Sequence, residues 1–223
     1  MNNENGRPSL HADLLQRLQA LCAGPRRLLG LVAPPGAGKS TLAALMTRAL
    51  GDKAQTVPMD GFHLAQTELQ RLGREQRKGA PDTFDAAGYT ALLLRLRQQG
   101  PDEVVYAPDF RREIEEPVAG ALPVFPRTPL VITEGNYLLL DDAPWQGVAV
   151  ALDEIWYLQI DPALRLERLL ARHQQFGRSR AQAQAWIANT DEPNARRIEA
   201  SRARAHRQVH WNETTRQFGF APH

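Results

Sequence analysis

Residues 28–41, LLGLVAPPGAGKST, run an apolar segment straight into a glycine-rich turn ending Gly38-Lys39-Ser40, and nothing else in the chain constrains its fold so much. Small residues in such a turn let successive backbone N–H groups curl around an anion, and the helix that starts there points its positive end at the same place. The pattern is G-x-x-x-x-G-K-[ST] with Ala33 in place of the first glycine, and Pro34 and Pro35 stiffen the approach. A chance Gly-Lys-Ser in a surface turn would not account for the flanks. LLGLVA reads as a buried strand, and TLAALMTRAL repeats apolar residues at helical spacing through Leu42, Leu45, Met46, Ala49 and Leu50. The expectation is a phosphate-binding loop in which Pro35, Gly36, Ala37, Gly38, Lys39, Ser40 and Thr41 hold a nucleotide. Lys39 would reach its β- and γ-phosphates and the Ser40 hydroxyl would serve as a Mg²⁺ ligand.

A chain of 223 residues is long enough for one substantial core, so a single domain over 1–223 is expected. Lys and Arg total 27 against 25 Asp and Glu, and a net charge of +2 is too small for a general nucleic-acid binder. The positive charge gathers instead at 71–78, 165–180 and 196–207, which favours local phosphate handling over a broad basic field. Cys22 is the lone cysteine, which excludes an intrachain disulfide and suits a reducing cytoplasm. The start MNNENGRPS is polar and lacks an apolar export core, and no stretch approaches the length of a membrane span. The sequence leaves a homodimer open.

Residues 10–23 read as an amphipathic helix, with Leu10, Leu14, Leu18, Leu21 and Cys22 on one face and Gly24-Pro25 ending it. Strand candidates are 28–33, 54–59, 104–107, 130–133 and 155–160, interleaved with helical segments such as 85–98 and 162–175. That alternation implies a parallel sheet with helices on both faces. Residues 61–84 are polar and basic, and form an expected insertion over the site. In such sheets ligands sit beyond the carboxyl ends of the strands.

After the second strand comes Asp60-Gly61-Phe62-His63. Asp60 is the candidate base that takes the proton of an acceptor hydroxyl, with an Asx-turn aspartate as the structural alternative. After the strand at 130–133 comes Glu134-Gly135-Asn136, where the carboxylate stands as the second element of a Mg²⁺ site. Asp109 and Arg112 fall in a mixed-charge turn suited to a polar substrate. Arg165, Arg168 and Arg172, at i, i+3 and i+7, share a helix face that could close over a nucleotide and bring positive charge to the transferring phosphoryl group.

With these residues in hand, the chain resembles the P-loop small-molecule kinases that include uridine kinase, phosphoribulokinase and bacterial pantothenate kinase. It resembles in particular the bacterial nucleoside or nucleotide kinase proteins also described as fructose-transport-system kinases. The resemblance covers nearly the whole chain through APPGAGKST, MDGFHL, RKGAPDTFD, VYAPDFRREIEEPV, LVITEGNYLLL, RLERLLARHQQFGRS and NARRIEASRARA. It implies an α/β three-layer P-loop NTPase sandwich, with a mostly parallel sheet, helices on both faces and a small helical lid at about 162–190. It implies ATP and Mg²⁺ as cofactors, with catalysis by Asp60, Lys39, Arg168 and Arg172. Gly177-Arg178 would close the lid, Arg165 would attend the nucleotide, and Ser201-Arg202 would lie near the adenine. The acceptor would meet Asp60, Tyr106, Asp109, Arg112 and Asn136. Arg77 and Lys78 read either as contacts to an anionic substrate or as solvated lid-edge charges, and His63 either as an acceptor contact or as a structural histidine.

The reading is an ATP-dependent kinase acting on a hydroxyl of a small polar metabolite such as a sugar, nucleoside or vitamin precursor. The alternatives are a noncatalytic ATP-binding regulator and a nucleoside monophosphate kinase. A GTPase switch is disfavoured because no Asn-Lys-x-Asp element occurs.

Overall fold

The computed structural model describes residues 7–221. The first six residues of the polar start fall outside the described residues. β1 (Ser9–Leu10) and α1 (Ala12–Leu21) precede β2 (Arg27–Val32) and α2 (Lys39–Leu50). β3 (Ala54–Thr56), α3 (Gln66–Arg71), α4 (Ala86–Arg97), β4 (Val105–Arg111) and β5 (Glu116–Val124) follow. Then come β6 (Leu130–Gly135), α5 (Gln146–Val150), β7 (Glu154–Gln159), α6 (Pro162–Gln175) and α7 (Arg180–Trp186). A π-helical turn, Ile187–Asp191, leads into α8 (Glu192–Ala200), and β8 (Arg207–Asn212) and β9 (Gln217–Phe220) close the described chain.

Seven strands form one sheet in the order β1-β9-β8-β7-β2-β6-β3. β3, β6, β2, β7 and β8 run parallel, and β9 turns back antiparallel to β8. Alternation along β2 divides the core, because successive strand side chains point to opposite faces. Leu28 and Val32 join Val131, Ile155, Tyr89, Leu93 and Trp145 on one side. Leu29 and Leu31 join Ile132, Trp156, Leu14, Leu18, Leu42 and Met46 on the other. The result is the expected three-layer sandwich. The predicted amphipathic face of α1 is the one it buries, through Leu14, Leu18 and Leu21. No helix among the described residues is long and apolar enough to cross a membrane.

Helix starts follow local chemistry. Asp85 and Asp161 accept hydrogen bonds from the backbone N–H of Gly88 and Leu164, Pro162 occupies the first turn of α6, and Ser179 and Gln182 form a reciprocal capping box on α7.

One expected sheet strand is corrected. The segment 104–107 does not enter the parallel sheet; it belongs to β4, which pairs antiparallel with β5 in a separate two-stranded ribbon. Pro108, Pro117 and Pro123 remove ladder donors, which suits a ribbon with free edges and a register shift between Ala107 and Asp109 rather than a central strand. Pro117 and Pro123 also interrupt the apolar pattern of β5. β8 and β9 escaped notice because their polar residues break the apolar run.

Candidate active site

The carboxyl ends of β2, β3 and β6 open into a cavity of about 930 Å³ roofed by α6, α7 and the insertion at 61–84. Its floor is the glycine-rich loop. Gly36 and Gly38 hold φ of 82° and 95°, a left-handed conformation that costs a side chain strain. A Cβ on Gly36 would also stand 2.9 Å from the Arg165 backbone oxygen, so glycine is what allows α6 to lie directly on the loop. Gly38 caps α2 and hands it to Lys39.

Lys39 is nearly fully buried, and Nζ donates to the oxygens of Ala33 at 2.9 Å, Pro34 at 3.3 Å and Asn136 Oδ1 at 2.6 Å. Burial pulls its pKa down to about 8 against the opposing pull of Glu134 and Asp60. Ser40 Oγ donates to Glu134 Oε1 at 2.7 Å, and burial together with Asp60 holds the Glu134 pKa above the usual carboxylate range. A hydroxyl, a raised carboxylate and a nearby second carboxylate form a set of hard oxygen donors, which fits Mg²⁺ when phosphate oxygens and water complete the shell. Among the described residues no cluster of three or more His, Cys, Asp or Glu side chains could hold a metal alone.

Asp60 sits in the 3₁₀ turn Met59–Phe62 at the cavity edge. Two close approaches fix that turn. A Cβ on Gly61 would fall 2.4 Å from the Pro108 carbonyl oxygen, and one on Gly135 would fall 2.6 Å from Met59, so both glycines are spacers between elements. The backbone is tied as well: Thr133 Oγ1 donates to the Val57 oxygen at 2.6 Å and itself accepts from the buried Tyr89 hydroxyl at 2.5 Å. Beyond Asp60, the His63 ring lies between Phe84 and Phe110 with centroid distances of 4.0 and 4.7 Å. Burial lowers the His63 pKa below its usual value.

The lid arginines divide their work. Arg168 and Arg172 face the cavity, and Arg168 rests 5.6 Å from the Trp211 ring centroid with Glu213 at 3.9 Å. The Arg172 pKa is lowered by burial and by Arg112, with Asp60 and Glu134 opposing. Arg165 is not at the ligand face; it is buried beneath the loop, donating to the Pro35 oxygen at 3.3 Å and pairing with Glu192. Arg178 stacks 4.1 Å from Trp186 and meets His173, whose Nε2 lies 2.8 Å from Asp191.

The structure gathers Pro35, Gly36, Gly38, Lys39, Ser40 and Thr41 on the cavity wall with Asp60, His63, Lys78, Arg112, Glu134 and Asn136. Ala37 is buried inside the loop. Besides Arg165, four further candidates fall outside the cavity lining. Arg77 is bound 2.6 Å from Asp82, and Asp109 lies 3.7 Å from Arg111. Tyr106 stands 59% exposed on the ribbon. Arg202 lies in an exposed turn, while the neighbouring Ser201 hydroxyl is spent on the Ile198 oxygen. Trp211, Arg216 and Phe218 from the β8–β9 hairpin also line the cavity, with Trp211 beside Arg168. The sequence signal for it was the alternation of Val209 and Trp211 before the turn at Asn212 to Thr215, where Asn212 Oδ1 accepts from the Thr215 N–H.

A phosphate loop on a parallel sheet, a carboxylate pair and an arginine-bearing helical roof define an ATP-dependent phosphotransferase of the P-loop kinase class. A scan against protein-family models finds none that matches the chain. The Escherichia coli (strain K12) protein YggC is 38% identical over 86% of this chain and 80% of its own length. The Schizosaccharomyces pombe (strain 972) protein named "Putative uridine kinase C227.14" is 35% identical over 82% of this chain and 81% of its own. The crystal structure of a "putative fructose transport system kinase" from Silicibacter sp. TM1040 superposes with a TM-score of 0.77 at 38% identity, covering 87% of this chain and 98% of that one. The chain belongs to the P-loop small-molecule kinases related to uridine kinase.

Proposed function

We propose that the protein uses MgATP to phosphorylate a hydroxyl of a small polar metabolite, with Asp60 as the base. The observation that carries this reading is the convergence of Asp60, Lys39, Glu134 and Arg172 on one cavity, where the Asp60 charge acts on each of the other three. A regulator that only bound nucleotide would need the loop and not this convergence.

Backbone N–H groups of residues 36–41 and the Lys39 ammonium hold the β- and γ-phosphates. Ser40 and Glu134 would hold Mg²⁺, which supplies charge neutralisation for the phosphates when bound. Trp211, which lines the cavity beside Arg168, offers an aromatic surface to the nucleobase. Asp60 orients the acceptor oxygen and receives its proton. The new O–P bond forms as the bond from the γ-phosphorus to the β–γ bridging oxygen breaks, and ADP leaves with that electron pair. Arg172 and Arg168 offset charge spreading over the transferred group, and α6 excludes water from it.

Replacing Asp60 by Asn keeps shape and removes the base. Acceptor-dependent ADP release should fall about 10²–10⁴-fold while nucleotide affinity stays near wild type. Retention of the wild-type rate with an identified acceptor refutes the base assignment. Nucleotide binding with no ADP release across sugars, sugar acids, sugar phosphates, nucleosides and vitamin precursors refutes the kinase reading itself.

A further inference from the structure

The half of the cavity facing Asp60 holds polar groups that the protein leaves unused. Arg112, in the turn between β4 and β5, makes no hydrogen bond among the described residues; its Nη2 comes no nearer than 3.9 Å to Asp60 Oδ2. That distance is beyond hydrogen-bond reach. Lys78 Nζ donates to the Glu115 backbone oxygen at 2.6 Å and weakly to Gln66 Oε1 at 3.4 Å, so its charge meets no carboxylate. His63 Nδ1 lies 2.8 Å from the Asp60 carbonyl oxygen. A carbonyl only accepts, so Nδ1 carries the proton and Nε2 is left as an acceptor. Glu75 Oε2, also on this wall, is buried without a partner.

Donor and acceptor sets of this kind select a ligand. Two cations without hydrogen-bonded carboxylates match an anion, because charge-assisted hydrogen bonds to carboxylate or phosphate are about twice as strong as neutral ones. The two open acceptors, His63 Nε2 and Glu75 Oε2, match hydroxyl donors. Arg112 lies so near Asp60 that the anion must sit within a few bonds of the reacting oxygen. We propose that the acceptor is a small polyhydroxylated anion, a sugar acid or sugar phosphate, whose anionic group is bound by Arg112 and Lys78 and whose second hydroxyl donates to His63. This deepens the kinase reading and rests on it; Arg172 remains with the transferring phosphoryl group.

The test uses matched pairs that differ in one charge: glycerate with glycerol, gluconate with glucose, ribose 5-phosphate with ribose. With a nonhydrolysable ATP analogue and Mg²⁺ bound to the full chain, calorimetry measures binding of each member, and ADP release is followed separately with ATP. In at least one pair the anionic member should bind tenfold or more tightly than its twin, and comparing the carboxylate and phosphate pairs identifies the anion. Arg112→Gln and Lys78→Gln should each weaken the anionic member by about tenfold and leave the neutral twin unchanged, with Arg112→Lys recovering part of the loss. Neutral members binding as well as anionic ones, no anionic member binding at millimolar concentration, or indifference to Arg112→Gln and Lys78→Gln overturns the proposal. ADP release with neutral members alone overturns it and leaves the kinase reading standing. Arg112- and Lys78-dependent binding of an anionic member without ADP release keeps the anion site, and removes both its role as the acceptor site and the kinase reading.

Discussion

Lys39 makes nucleotide binding depend on proton uptake. Its pKa is held near 8 by burial, below the ordinary lysine value of 10.5. A bound phosphate brings negative charge onto the ammonium and returns the pKa upward, so the complex keeps the proton that the free protein loses. With a free-state pKa of about 8, roughly 0.2 of the lysines are neutral at pH 7.5 and about 0.9 at pH 9, and binding must reprotonate that fraction. Affinity for MgADP should fall about eightfold over that interval, ~1.3 kcal/mol. Calorimetry in two buffers of different ionisation enthalpy counts the protons directly. ADP itself does not titrate in this range. Wild type should show uptake rising with pH, and Lys39→Met should show none. Equal uptake in the two proteins, or none in wild type at pH 9, refutes the argument. The same depressed pKa governs the ligand-free fold with a fixed sign. The unfolded chain binds the extra proton between pH 8 and 10.5, so the lysine's contribution to stability is present above that window and lost as pH falls through it.

Two further outcomes follow from packing. Gly61→Ala places a methyl against the Pro108 backbone oxygen, which cannot swing aside, so thermal unfolding should move down by several degrees for a cost of about 1–3 kcal/mol. Because the strained turn carries Asp60, kcat should fall more than nucleotide affinity, and an unchanged melting temperature and kcat would contradict the close approach. Trp211→Ala should weaken MgATP binding by about 1–3 kcal/mol while Trp211→Phe keeps most of it; equal affinities for the two variants, measured by calorimetry, would remove Trp211 from the nucleobase contact.

The legible parts of this molecule were those whose chemistry is local. A strand, a glycine turn and a helix in succession specify the phosphate loop wherever they occur, and the apolar period of α1 announced the face it buries. Asp60 and Glu134 could be placed at the cavity because both lie near the carboxyl ends of strands, Glu134 in the last residues of β6 and Asp60 in the turn after β3. Arg165 was misplaced because helical spacing tells which residues share a face and not what that face meets; here it meets the loop's own backbone. Tyr106 and Asp109, which the resemblance puts at the acceptor, stand on the separate β4–β5 ribbon outside the cavity lining. Gly135 leaves room for the Met59 side chain, a contact between separate elements that no local pattern shows.

The amino-acid sequence by itself determined the fold class and the phosphate-donating half of the site, since backbone amides, a lysine and a hydroxyl within six residues need no distant partner to be recognised. The opposite half was decided by tertiary structure alone. Arg112 comes from the β4–β5 ribbon, Lys78 from the insertion and His63 from the turn after β3, and only packing of Gly61 against Pro108 and of Phe84 and Phe110 around the imidazole brings them to one wall. Separation along the chain hides such a set from any local pattern, and burial in a shared cavity sets what its charges can hold.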